Sequence, residues 1–372
     1  MSILRQTVNI VGGGVIGLSV AFEARSKGWD VRVFDQSNFG GQASGAAAGM
    51  LAPYSEVEED PDAFFVLCQE SLKLFPQWKK RVVDAGGMDF EYMESGSLHA
   101  FFHEADVLAA KTTMAWQKKF QVDSELWDGR SLAERVPALS SSVLGAVYRP
   151  EEAHIYAPDY VKSLHRACLA TGVECFEHRK VTPTAANNGD IIVKSRCYEA
   201  DVLVICSGAW AKEWEDTLSL EIPVYPIRGQ ICAYRGAPGA LPHIVFSSQG
   251  YLVQKGDGTI VAGATEDIAG FETSVTEKGV GRLLRWVPKV MPSLEGLVPF
   301  HQWAGLRPAT MDGYPLLGHT DDCSAILFAC GHYRNGILLS PVTAKLIGEL
   351  LTKISMPRDY EVAFHPGRFN RK

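Results

Sequence analysis

Gly12, Gly14 and Gly17 stand at the spacing Gly-x-Gly-x-x-Gly, directly after the apolar run Thr7-Val8-Asn9-Ile10-Val11. That order suits the binding of a pyrophosphate. The first glycine makes a tight turn, the second lets backbone approach the phosphates, and the third lets a helix pack on a strand. The apolar, helically spaced segment from Val15 to about Ser26 would then point its unpaired N–H groups and positive dipole end at the same phosphates. Beyond Gly28, the run Trp29 to Phe34 reads as a second strand and closes in Asp35, a carboxylate suited to ribose hydroxyls. A negative charge there disfavours the 2′-phosphate of NADP. An ordinary glycine-rich turn is the plainer alternative, but strand, helix, second strand and carboxylate in register favour a dinucleotide site.

Other reactive residue types are scattered. The eight cysteines form no Cys-x-x-Cys pair and read as reduced thiols of a cytoplasmic protein. His99 and His103 are four apart, which on a helix would suit a metal, but the pattern around them is strand-like and separates them. No metal site is expected. The chain has 372 residues and a net charge of -7, with a sequence pI near 5.8. This mildly acidic balance carries no electrostatic footprint for nucleic acid. No apolar run approaches the roughly 20 residues of a membrane span, and the first strand begins too near the N-terminus to leave room for a signal peptide.

The elements that must position a dinucleotide follow in order. Gly40 to Pro53 is dense in small residues that suit backbone lying against a flat group. Glu56 to Asp62 reads as a solvated acidic loop. Ala63 to about Ala85 has helical spacing, with Phe64, Leu67, Leu72, Phe75 and Trp78 on its apolar side. Gly96–Phe102 reads as a strand and Glu104–Phe120 as a helix. Asp159–Thr171 reads as a helix with Asp159 at its N-terminus, and Val173–His178 as a strand, with Val181 just beyond. Asp201–Cys206 has a buried-strand pattern. From about Pro223 to Trp303 the chain alternates in short β-type runs, the mark of a largely antiparallel unit. A strand at Ala325–Cys330 and a helix from about Ile337 to Thr352 close the sequence.

Five stretches together resemble the D-amino acid oxidase family of flavoproteins, most closely its glycine oxidase branch. They are Val11–Gly17, Ser44–Leu51, Ile205–Trp210, Trp303–Gly318 and Gly331–Pro341. The motifs Trp-Ala-Gly-Leu-Arg-Pro-Ala-Thr-Met-Asp-Gly and Gly-His-Tyr-Arg-Asn-Gly-Ile-Leu-Leu-Ser-Pro are the most specific. The resemblance implies an α/β fold in which a Rossmann-type FAD-binding domain (residues 1–85, 140–220 and 304–372) is interleaved with a largely antiparallel β substrate-binding domain (86–139 and 221–303). It further implies FAD, oxidation of glycine or another small amine by molecular oxygen, a homotetramer, and a link to thiamine thiazole formation. With Pro308-Ala309-Thr310-Met311 where covalent relatives carry a cysteine, the FAD is expected to be noncovalent.

Site residues follow from the same resemblance. No acid–base catalyst is expected, because the flavin takes the hydride itself. Arg307 is the expected carboxylate anchor, a role suited to its planar fork. Tyr251 matches a family tyrosine that also reaches the carboxylate, and Arg334 lies in the flavin-facing turn as a further substrate or ring contact. The expected FAD contacts are Gly12, Gly14, Val15, Ile16, Gly17, Asp35, Gln36, Ala43, Ser44, Ala48, Gly49, Met50 and Val181. To these the last turn adds His332, Tyr333, Arg334, Asn335, Gly336, Ile337 and Leu338, which should open the final helix toward the flavin C2 carbonyl. Glu266 falls near the expected pocket, either as a solvated loop residue or as a group favouring a substrate with an extra amine. The competing readings are a dehydrogenase or oxidase of D-amino acids or larger N-substituted glycines, and a nucleotide-binding protein without turnover.

Overall fold

The computed structural model describes residues 5–56, 61–183 and 188–370. The β-branched run Thr7–Val11 forms a strand in the middle of a six-stranded sheet. The strand order is Leu316–His319, Ile326–Cys330, Val202–Ile205, Thr7–Val11, Asp30–Phe34, Glu174–Phe176. All neighbours are parallel except the first pair. The next strand in sequence, Asp30–Phe34, lies on one side of Thr7–Val11 and Val202–Ile205 on the other. The strand order therefore reverses at Thr7–Val11, which opens a crevice at the carboxyl ends of these strands.

Alternation along the strands splits the core into two layers. Val8, Ile10, Val31, Val33, Val204, Leu327 and Ala329 pack with the helices Val15–Ser26, Ala63–Gly86, Ala157–Thr171 and Gly336–Leu351. Val11, Phe34, Leu203, Ile205, Ile326 and Phe328 pack on the opposite face with Trp214 and Ile222. The turn that joins the first strand to its helix is tight. Gly12 has φ +110, and a Cβ on it would lie 2.2 Å from the Cys206 carbonyl oxygen; a Cβ on Gly17 would lie 1.8 Å from the Gly12 carbonyl oxygen. The spacing of the motif is thus imposed by packing as well as by phosphate access.

A second sheet has eight strands in the order His301–Thr310, Val224–Arg235, Thr259–Gly263, Gly250–Gln254, Ile244–Ser247, Ser97–Phe101, Gly145–Arg149, Glu125–Asp128. Only Ile244–Ser247 and Ser97–Phe101 run parallel, so the expectation of a largely antiparallel unit describes it well. Gly145–Arg149 and the whole of His301–Thr310 are hydrogen-bonded into this sheet, whereas the ranges expected from sequence assign 140–220 and 304–372 to the other unit.

Three local readings change. Asp159 lies in the first turn of the helix Ala157–Thr171, which Tyr156 precedes as N-cap. Along Ala63–Gly86 Phe65 is fully buried, as Phe75 is, while Phe64 is half-buried and stacks on Tyr314 at 5.6 Å. The acidic stretch is not simply a solvated loop where it is described. Glu56 ends the short helix Pro53–Glu56, and Asp62 caps the long helix, its Oδ1 accepting from the Phe65 amide at 2.8 Å. Residues 57–60 lie outside the described residues. Asp62 also accepts a hydrogen bond from the Tyr314 hydroxyl. Asp62→Ala should therefore cost about 1–2 kcal/mol, read as a lower urea midpoint at unchanged m-value.

Candidate active site

The crevice at the strand reversal continues into a cavity of about 1840 Å³ that reaches the inner face of the eight-stranded sheet. This exceeds the roughly 300–1,000 Å³ of a drug-sized site and leaves room for an extended cofactor together with a substrate. At one end, Gly12, Gly14, Val15, Ile16, Asp35, Gln36 and Val181 line it. The helix Val15–Ser26 has no side-chain cap at Gly14, so its first N–H groups remain available to phosphate, apart from Val15, whose amide donates to Ser44 Oγ at 3.0 Å. A Cβ at Gly14 would meet only Ser44 Oγ, at 3.2 Å. That side is open to the cavity. Asp35 braces the turn, with Oδ2 accepting from the Gly13 amide and Oδ1 from the Ser37 amide, both at 2.7 Å. Oδ1 also accepts from the Ser37 hydroxyl at 3.0 Å, which leaves a lone pair on Oδ2 for a ribose hydroxyl.

In the middle of the cavity, Ala43, Ser44, Ala48, Gly49 and Met50 form one wall, and His332, Tyr333, Arg334, Gly336 and Ile337 another. Trp303 Nε1 donates to the Ala46 carbonyl at 2.9 Å, fastening the first wall to the eight-stranded sheet. Lys255 does the same from a buried position: its Nζ donates to the carbonyls of Ala48 and Ile155 at 2.7 and 2.8 Å. Burial pulls this amine down to about 7, and burial likewise keeps the neighbouring His154 neutral, at about 3. The second wall precedes the helix Gly336–Leu351, whose N-cap Asn335 supplies no side-chain hydrogen bond. His332 is buried and pushed down to about 3, with its Nε2 3.0 Å from Thr343 Oγ1. The Tyr333 amide donates to the Pro308 carbonyl at 2.9 Å, which ties this turn to the strand that carries Arg307.

Three expected contacts do not line the cavity. Gly17 lies behind the turn, against Gly12. Asn335 serves as backbone cap, its carbonyl accepting from the Leu339 amide at 2.8 Å. Leu338 is buried, with its carbonyl accepting from Ser71 Oγ at 2.6 Å. All three support the wall from behind it.

At the far end, charged and phenolic groups converge from separate elements. Arg307 comes from the strand His301–Thr310, in register with Ile227 on Val224–Arg235. Its guanidinium donates to the Thr265 carbonyl at 3.0 Å and forms no ion pair among the described residues. It passes over Gly229, where a Cβ would lie 2.3 Å from one guanidinium nitrogen. Tyr251 enters from Gly250–Gln254, and burial pushes its hydroxyl up to about 12. Arg334 is half-exposed and faces Glu266 at 3.6 Å, while Glu266 also accepts from the Tyr333 hydroxyl at 2.9 Å.

Sequence reading missed Glu56, Gly229 and Lys255. Glu56 lines this end of the cavity, with Oε2 shut off from solvent and accepting no hydrogen bond among the described residues. Its place in an acidic run disguised it, although the apolar Met50-Leu51-Ala52-Pro53, separated from it by two residues, was a signal of burial. Nothing in the turn Lys255-Gly256-Asp257-Gly258 marks its lysine as buried.

The family model for FAD dependent oxidoreductases matches residues 7–350. The chain is 33% identical over 355 residues to the glycine oxidase of Geobacillus kaustophilus, covering 94% of this chain and 93% of that one. It is also 33% identical over 373 residues to the bifunctional protein ThiO/ThiG of Synechocystis sp., covering 97% of this chain but 54% of the relative, so that it spans about half of that protein's length. The crystal structure of the Geobacillus kaustophilus glycine oxidase superposes with a TM-score of 0.93 at 28% identity, covering 98% of this chain and 99% of that one. With an open glycine turn, an uncapped helix and a cradle of small residues that fit FAD, the chain belongs to the FAD-dependent oxidoreductase family of D-amino acid oxidase type, and its cofactor is FAD.

Proposed function

We propose that the protein is an amino-acid oxidase that converts glycine and other small amines, among them sarcosine and small D-amino acids, to the 2-oxo acid, ammonia or amine, and hydrogen peroxide. The observation that carries this reading is the Arg307 guanidinium. It sits in the cavity with one backbone carbonyl as its described partner and no ion pair to a carboxylate among the described residues. A planar, always-charged fork held in this way suits a substrate carboxylate. Tyr251 adds a hydroxyl that stays protonated at physiological pH.

FAD, when bound, accepts the hydride of the substrate amine and passes the electrons to oxygen. The chain itself grips the carboxylate, holds a small substrate between two walls and presents a helix N-terminus and backbone N–H groups where negative charge develops. The names of the relatives support glycine as substrate and, through the ThiO/ThiG protein, a role in thiazole formation for thiamine. The same reading extends to a homotetramer in the cytoplasm.

The FAD is held without a covalent bond. Cys206 and Cys330 line the cavity, but burial pushes both thiols up, Cys330 to about 12, so neither is a thiolate at neutral pH. Acid precipitation should therefore release all the yellow colour into the supernatant; colour retained in the pellet would count against this.

An oxygen-electrode assay of the FAD-loaded protein should show consumption with glycine, sarcosine or D-alanine, and silence with all three would remove the reading. Arg307→Ala should weaken acetate binding roughly ten- to hundredfold, as expected for a lost hydrogen bond to a charged group, measured by perturbation of the flavin spectrum. Gly229→Ala should do much the same at an almost unchanged melting temperature, because the added methyl displaces the tip of a flexible side chain and not the backbone.

A further inference from the structure

The far end of the cavity holds two guanidinium groups, Arg307 and Arg334, and two carboxylates, Glu56 and Glu266. One carboxylate is already engaged. Glu266 accepts from the Tyr333 hydroxyl and faces Arg334, and its side chain is 51% exposed. Glu56 differs: the residue lines the cavity that also holds Arg307, and its Oε2 is out of reach of solvent and accepts nothing among the described residues. A buried carboxylate oxygen without a donor costs free energy unless a ligand supplies one. An α-amino acid zwitterion supplies it, because its carboxylate suits Arg307 and its ammonium brings N–H donors a short distance away.

Resting on the amino-acid reading given above, we infer that Glu56 receives the substrate's amine: the Glu56 carboxylate accepts an ammonium N–H and takes that proton. The N–H bond breaks, an O–H bond forms on Glu56, and the electron pair stays on nitrogen. The amine then enters oxidation neutral, with the lone pair that must assist departure of the α-hydrogen as hydride to FAD.

The fold holds this group firmly. Glu56 ends the short helix Pro53–Glu56, and the buried Glu152 binds the start of that helix. Glu152 Oε1 accepts from the amides of Tyr54 and Ser55 at 2.6 and 2.8 Å, and Oε2 accepts from Ser55 Oγ at 2.6 Å and from the Ser97 hydroxyl. The groups facing Glu56 make it a workable acceptor. Burial raises its carboxyl to about 7; Arg334 and Arg307 hold it down, while Glu152 and Glu266 push it up, and the phenol of Tyr251 and the thiol of Cys68 also feel its charge. A proton acceptor poised near neutrality is better matched to its task than an ordinary glutamate.

The test uses the FAD-loaded full chain as wild type, Glu56→Gln and Glu56→Asp, with glycine as substrate and acetate as a carboxylate without an amine. Glu56→Gln should raise KM for glycine roughly ten- to hundredfold, while its acetate dissociation constant and its melting temperature stay near wild type. In the wild type, kcat/KM should fall as pH drops through about 7, where Glu56 becomes protonated. Glu56→Gln should lose that limb, and Glu56→Asp should restore it in part. An unchanged glycine KM and pH limb in Glu56→Gln would overturn the inference, and so would an equal loss of acetate and glycine binding, which would mark a purely structural role. Wild-type protein that binds no acetate and oxidises no small amine would sink the amino-acid reading itself, and with it the role given to Glu56.

Discussion

One positive charge that forms no ion pair among the described residues sets the logic of this molecule. Arg307 is half-buried at the end of a large cavity, and its described partner is a carbonyl oxygen. Leaving a guanidinium there is costly unless a ligand compensates. Everything around it keeps it available. Strand pairing of Ile227 with Arg307 fixes the point from which the side chain leaves the sheet. Gly229 clears its path, and Glu266 is drawn away toward Tyr333 and Arg334. Among the described residues no carboxylate takes that place, as the proposed role of substrate anchor requires.

This arrangement depends on joining two sheets of different construction. The six-stranded sheet supplies the nucleotide crevice through its order reversal, and the eight-stranded sheet supplies the anchor and its phenolic neighbour. Loops alone would leave the distance between them loose. Instead, Trp303 and Lys255 reach from the second sheet to the backbone at Ala46 and Ala48, and the Tyr333 amide is bonded to Pro308 beside Arg307. Each tie ends on a backbone group that lines the cavity or adjoins one that does, so the cradle and the anchor move together.

Much of this was legible in the sequence, and the reasons are physical. Gly12 and Gly17 show in sequence because their packing admits no Cβ, and Arg307 because its motif is compact in sequence. The helix Gly336–Leu351 is apolar over almost its whole length, which marks it in sequence as a buried helix. What was hidden depends on contacts between residues far apart. Glu56 looks like a member of a solvated acidic run until Glu152, almost a hundred residues on, is seen to brace its helix. The strand Gly145–Arg149 was not recognised, and the range 140–220 went to the nucleotide unit, because its partners Ser97–Phe101 and Glu125–Asp128 leave no trace in its own composition. Leu338 follows directly on the lining residue Ile337, and Asn335 falls between the lining residues Arg334 and Gly336, where the start of the helix turns both behind the wall they support.

The lysine that bridges the sheets has a consequence of its own. Above about pH 7 its amine sheds its charge, and a neutral amine has two N–H groups, matching the two carbonyls of Ala48 and Ile155 that receive them. The rivet is then an uncharged clasp sealed from the medium. Surface pairs such as Lys80–Asp84 weaken as counterions crowd around them, but this clasp gives salt nothing to screen.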